Sequence, residues 1–127
     1  MDNHLGGIYY KDKISSIIRE HIGPKEKILE VCCGCGIISK TILENGLTQD
    51  VTFSDIQDLS HEHDNFIQSD GLQNITDKYE LIICSPPWYN LSLPPCKFLS
   101  EMPPILWQDM DWKFHRQFYK EVSNNLT

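Results

Sequence analysis

No apolar run in the 127-residue chain approaches the roughly 20 residues of a membrane span. The opening segment, Met1 to Gly7, lacks the basic stretch and apolar core of a signal peptide, which points to a cytoplasmic protein. Internal repeats and low-complexity tracts are absent. Basic residues are few: 11 Lys and Arg stand against 18 Asp and Glu, for a net charge of −7. Small groupings at Lys11/Lys13 and Lys25/Lys27 are the only basic clusters. A chain that grips a nucleic-acid backbone by itself normally offers a basic face, so charge counts against autonomous DNA or RNA binding. It leaves room for a basic partner subunit or a protein substrate. The five cysteines, at 32, 33, 35, 84 and 96, are odd in number and crowd onto apparent strand ends. That is unlike a secreted disulfide framework and suits reduced thiols. No C-x2-C pair exists, and adjacent Cys32 and Cys33 on a strand would face opposite sides, so no metal site is expected.

What is present reads as one domain over 1–127. Ile14, Ile17, Ile18 and Ile22 recur at helical spacing and Gly23-Pro24 stops the run, giving a helix over about 11–22. Lys27 to Cys33 reads as a buried strand, Ile38 to Asn45 as a helix closed by Gly46. Val51–Ser54 and Asn65–Gln68 read as short strands ending at Asp55 and Ser69-Asp70. Tyr79 to Cys84 reads as a fourth, strongly apolar strand. Strands alternating with helices predict an α/β parallel sheet with ligands at its carboxyl ends. The first three strands with their helix span 27–70, and the fourth strand with its long loop spans 79–110. Leu91 to Leu106 is a Pro-containing loop of a length that is often functional. Phe114, Phe118, Val122 and Leu126 fall four apart and predict a final helix over 111–126. His61 and His63 flank Glu62 and read as a solvated turn.

Two segments carry chemistry. Glu30-Val-Cys-Cys-Gly-Cys-Gly36 ends a strand in a turn tight enough for backbone N–H groups to approach a ligand. The dinucleotide pattern G-x-G-x-x-G fails because position 39 is Ser, which argues against a pyrophosphate grip. Asp55, about 20 residues beyond the turn, stands where a strand-end carboxylate binds ribose hydroxyls. Ser85-Pro86-Pro87-Trp88 follows the fourth apolar strand directly. Successive prolines fix φ and remove donors, leaving a rigid ledge of carbonyl acceptors beside an aromatic face. As alternatives, each Asp could serve as a helix cap or turn residue, and Trp88 could be a core anchor.

Together the two segments resemble motifs I and IV of class I S-adenosylmethionine-dependent methyltransferases, in the branch that methylates planar nitrogens. The resemblance spans roughly residues 6 to 126. It implies a Rossmann-like parallel sheet with flanking helices, of which this chain holds the first four of seven strands. The Tyr79–Cys84 strand would then be an apolar edge that a partner chain or a second copy can cover. Motif I, acidic-x-Gly-x-Gly-x-Gly, matches at Glu30, Gly34 and Gly36, with Cys32 in place of the first glycine. Asp55 implies a ribose contact, Ile56 an adenine contact, and Asp70 the position near the adenine amino group. Gly6 to Lys11 resembles motif X, which places Tyr10 near the methionine end of the cofactor. Ser85, Pro86, Pro87 and Trp88 match the (Asn/Asp/Ser)-Pro-Pro-aromatic motif of adenine-N6 and cytosine-N4 DNA methyltransferases, several RNA methyltransferases and release-factor glutamine methyltransferases. Ser-Pro-Pro-Trp also resembles cap trimethylguanosine synthases. The expected activity is methyl transfer from S-adenosylmethionine to an amino or amide nitrogen of a protein glutamine or a nucleobase. Two alternatives remain: a cofactor-binding but catalytically incomplete module acting through protein contact, and a small-molecule methyltransferase with Leu91–Leu106 as its lid.

Overall fold

Residues 11–127 are described by a computed structural model. The alternating apolar runs form four parallel strands, β1 (Ile28–Val31), β2 (Val51–Asp55), β3 (Phe66–Gln68) and β4 (Leu81–Cys84), in the order β3-β2-β1-β4. β1 is central and fully buried, in register with both neighbours: Ile28 lies opposite Val51 and Leu81, and Val31 opposite Ser54 and Cys84. Because successive strand residues face opposite sides, each strand feeds two cores. Ile28, Val51, Phe53, Leu81 and Ile83 pack beneath α1 (Lys11–His21) and α2 (Ile37–Glu44), meeting Ile14, Ile18, Ile22 and Ile42. Leu29, Val31, Ile82 and Cys84 face the other way, against Phe114, Phe118, Val122 and Tyr79. The result is an α/β, Rossmann-like arrangement with helices on both faces of a parallel sheet. No helix of the described residues is long and apolar enough to cross a membrane.

Four expected boundaries differ for physical reasons. β1 stops at Val31 because Cys32 turns into the left-handed region at φ 55°. The last helix, α4, runs only over Lys113–Glu121, since Asp111 and Trp112 are both left-handed (φ 58° and 52°). Its first amides are satisfied by Asp109, whose carboxylate accepts from Phe114 N–H and His115 N–H. The helix then tightens to a 3₁₀ turn over Val122–Asn125, so Leu126 leaves it extended. Leu126 pairs with Tyr79 as a parallel bridge: Tyr79 N–H donates to Asn125 O at 2.7 Å, and Thr127 N–H to Tyr79 O at 3.0 Å. Tyr79 therefore belongs to this bridge instead of to β4, whose remaining outer edge has no strand partner among the described residues. Of the expected apolar stripe on α1, Ile17 points to solvent at 54 % exposure.

The loop after β4 has more structure than its sequence suggested. A single helical turn, α3 (Lys97–Ser100), and a 3₁₀ turn at Pro104–Leu106 are anchored by buried Leu99 and Trp107. The two loop ends are clasped to each other: Trp88 N–H and Tyr89 N–H both donate to Trp107 O, and Asp109 N–H returns a bond to Tyr89 O.

Candidate functional site

A cleft of about 580 Å³ opens at the carboxyl ends of β1, β2 and β4. That volume lies within the ordinary range for small-molecule sites. One wall is the turn after β1 with the segment after β2. The other is the ledge after β4 with the loop around α3.

The turn is built from alternating left-handed residues: Cys32, Gly34 and Gly36 at φ 55°, 51° and 73°. Cys32 thus adopts a conformation that ordinarily favours glycine, at a cost of roughly 1–2 kcal/mol for a residue with a Cβ. Gly36 is required twice over. Its φ is positive, and a Cβ there would meet the Phe53 ring at 2.6 Å and His63 at 3.0 Å. Gly34 is held at both ends of its peptide units. Its N–H donates to Asp55 Oδ2 at 3.0 Å, and its carbonyl lies 2.8 Å from His63 Nε2. That contact assigns the ring proton to Nε2. His63 is buried, stacked on Phe53 at 4.3 Å between centroids, with Nδ1 unpartnered. The solvated turn expected at His61–His63 is therefore corrected at His63, which is a buried prop of the glycine turn. Nothing in sequence spacing marks it; the aromatic Phe53 and Phe66 on which it rests come from two separate strands.

Asp55 is buried at the end of β2 and lines the cleft. Its Oδ1 accepts Gln57 N–H at 3.0 Å, while Oδ2 takes Gly34 N–H. Ile56 is exposed beside it and also lines the cleft. Glu30 sits elsewhere. It is wholly buried beneath the turn, outside the cleft lining, with Oε1 accepting Ser39 N–H at 2.9 Å and so tying β1 to the first turn of α2. Burial lifts its carboxyl to about 7, against the opposing pull of the Ser39 hydroxyl and N–H. Neither Glu30 Oε2 nor Ser39 Oγ has a well-directed hydrogen bond of its own.

Asp70 is not brought into the cleft. It is exposed, and the chain turns at once through Gly71, which packs toward Phe114 on the α4 face. The turn's polar work falls to neighbouring Ser69, which is buried and accepts Asn74 N–H. Tyr10 lies outside the described residues.

On the opposite wall Ser85, Pro86, Pro87 and Trp88 all line the cleft. Ser85 N–H donates to Val31 O at 3.3 Å, so the ledge begins one residue beyond the β1–β4 ladder. Trp88 is 56 % exposed, whereas Trp107 is the buried anchor at 3 %. The indole of Trp88 therefore belongs to the cleft and not to the core. The same wall includes Phe98, Met102, Ile105 and Leu106, lining residues that no motif announced. Cys32 also lines the cleft, and its thiol is pushed far up by a hydrogen bond with Cys84 and by burial. None of the five cysteines is in a disulfide.

No protein-family model matches the chain, and no curated protein matches it. Among solved structures it is similar to the crystal structure of protein 1320 of Thermoplasma acidophilum, with a TM-score of 0.54 and 16 % identity. The match covers 94 % of this chain and 56 % of the archaeal one, so this chain spans about half the length of that protein. The likeness is one of fold.

Proposed function

We propose that the cleft binds S-adenosylmethionine and that the chain transfers its methyl group to a planar amino or amide nitrogen. The observation that carries this reading is the shared opening. The left-handed turn pinned by Asp55 and the Ser85–Trp88 ledge line one cleft from two sides. Asp55 Oδ2 accepts one bond, from Gly34 N–H, and keeps a lone pair for a ribose hydroxyl, while Oδ1 accepts from both the backbone and side-chain N–H of Gln57; Ile56 offers an apolar face to an adenine. The volume and the carboxylate at the floor suit a cationic nucleoside of this size.

When bound, S-adenosylmethionine supplies an electrophilic methyl on a sulfonium. The ledge does the rest by positioning and charge complementarity. Ser85 Oγ and the Pro86 carbonyl accept hydrogen bonds from the acceptor NH2 and draw electron density toward its nitrogen. Trp88 stacks on the planar group and fixes its tilt. No side chain is needed as a strong base, because the nitrogen becomes acidic only as it is methylated and releases its proton at the open mouth.

The five cysteines, none of them in a disulfide, favour a reducing, cytoplasmic setting. The outer edge of β4, which has no strand partner among the described residues, favours a second reading, a cofactor-binding module that acts through contact with a partner chain or a second copy. Calorimetric titration with S-adenosylhomocysteine, alongside Asp55→Ala, tests the cofactor site: the wild type binds and the variant loses binding. Trp88→Ala and Ser85→Ala then separate the readings. A catalyst loses turnover and keeps the cofactor analogue, whereas a scaffold loses neither. A folded wild type that ignores S-adenosylhomocysteine sinks both.

A further inference from the structure

If the cleft is the methyl-transfer site proposed above, its charge decides which acceptors enter. Among the described residues, the charged side chains lining it are three carboxylates, Asp55, Glu62 and Glu101, and no Lys, Arg or His lines it. Asp55 is buried on the floor. Glu62 and Glu101 are exposed and come from separate segments, the loop after β2 and the turn after α3. The chain's net charge of −7 adds a field of the same sign. The amide that a glycine turn would ordinarily offer an anion, Gly34 N–H, is already donated to Asp55. Around the ledge the rim is apolar, with Trp88, Phe98 and Ile105 each more than half exposed. A phosphate entering here would give up its hydration and meet carboxylates with no cation to replace the lost water.

We infer that the acceptor is a phosphate-free planar amine, neutral or cationic around the methylated nitrogen, carried on an apolar framework that packs against Phe98 and Ile105. Glu62 and Glu101 are the residues that enforce this choice. A base embedded in a phosphodiester chain is rejected at the mouth.

The test uses matched probes that differ only by phosphate: adenosine against adenosine monophosphate, and cytidine against cytidine monophosphate. S-adenosylhomocysteine is kept saturating, so that nucleosides cannot occupy the cofactor half. Quenching of tryptophan fluorescence reports binding beside Trp88. The wild type should bind each nucleoside at least about tenfold more tightly than its phosphate. Glu62→Lys/Glu101→Lys, which alters two exposed side chains, should erase or reverse that preference. The inference is overturned by equal or tighter binding of the phosphates to wild type, by an unchanged preference in the double variant, or by no quenching from either nucleoside. Calorimetry with S-adenosylhomocysteine comes first. Failure there removes the methyl-transfer reading itself, while intact cofactor binding with phosphate preferred removes the acceptor class alone.

Discussion

Asp55 Oδ2 accepts the Gly34 amide proton at 3.0 Å, and this one bond joins the end of β2 to the turn that leaves β1. The carboxylate therefore shapes the turn and faces the cleft at once. Hydrogen bonds to a charged group are worth about 1.5–3 kcal/mol. Asp55→Asn, which keeps one acceptor oxygen but loses the charge, should weaken S-adenosylhomocysteine by roughly one to two powers of ten. Circular dichroism of the variant should still show the folded chain. Undiminished affinity in titration calorimetry would remove Asp55 from the site.

Gly36 and Gly46 make a matched pair for measuring what His63 and Phe53 impose. Both have positive φ, 73° and 70°, but a Cβ at Gly46 would meet nothing within 4 Å, whereas at Gly36 it would strike Phe53 and His63. Gly46→Ala should cost only the left-handed strain, about 1–2 kcal/mol. Gly36→Ala adds overpacking of about 1–3 kcal/mol. Urea denaturation of the two variants gives the difference directly. Equal losses would mean that the Phe53–His63 stack yields freely.

Much of the architecture was legible because short apolar runs and four-residue helix spacing survive in a short chain. Leu81–Cys84 is apolar without interruption, and Ile28–Val31 is broken only by Glu30, because β1 and β4 face helices or loops on both sides. The glycine turn and the Ser85–Trp88 ledge were legible as local patterns whose residues the fold carries to one cleft. What escaped depends on distant contacts. His63 acts through Gly34, 29 positions away. Asp70 is exposed and outside the cleft lining, at a turn whose left-handed Gly71 lies toward Phe114. The start of α4 is set by Asp109, which neither the Phe114–Phe118–Val122 periodicity nor the more obvious Asp111 discloses. Glu30 matched a ligand-binding motif while its side chain serves the junction of β1 and α2.

Asp109 links that helix to the ledge. Its carboxylate caps α4 through Phe114 and His115 amides and receives the His115 ring at 2.5 Å from Nδ1, while its own N–H holds Tyr89 O. Burial would raise its pKa, but the hydrogen bonds from His115 and the two amides prevail and hold it below the usual carboxylate range. Asp109→Ala should lose the cap, about 1–2 kcal/mol, and loosen the segment that carries Trp88. Thermal melts read the first effect. The second should appear as a weaker response of Trp88 to added acceptor with S-adenosylhomocysteine affinity unchanged, and a parallel loss of both would place Asp109 in the general core.

Glu30 makes stability fall as pH rises, opposite to a salt-bridged carboxylate. Burial, its largest influence, lifts its carboxyl from 4.5 to about 7, with Asp55 adding to the rise and Ser39 and Lys40 opposing it. Between these values the folded chain keeps a proton that the unfolded chain has released. The contribution is therefore whole below pH 4.5, declines toward pH 7, and is constant above it. The difference amounts to about 3 kcal/mol for this one group. Protonation also suits the geometry, since an Oε2–H can turn its unpaired oxygen toward the unpartnered Ser39 Oγ. Glu30→Gln keeps the acceptor for Ser39 N–H and removes the titration. Urea unfolding between about pH 5 and pH 8 should show a declining stability in the wild type and a flatter profile in Glu30→Gln, with the variant the more stable of the two at the alkaline end. Parallel profiles would mean that Glu30 is already ionised in the folded chain at pH 5.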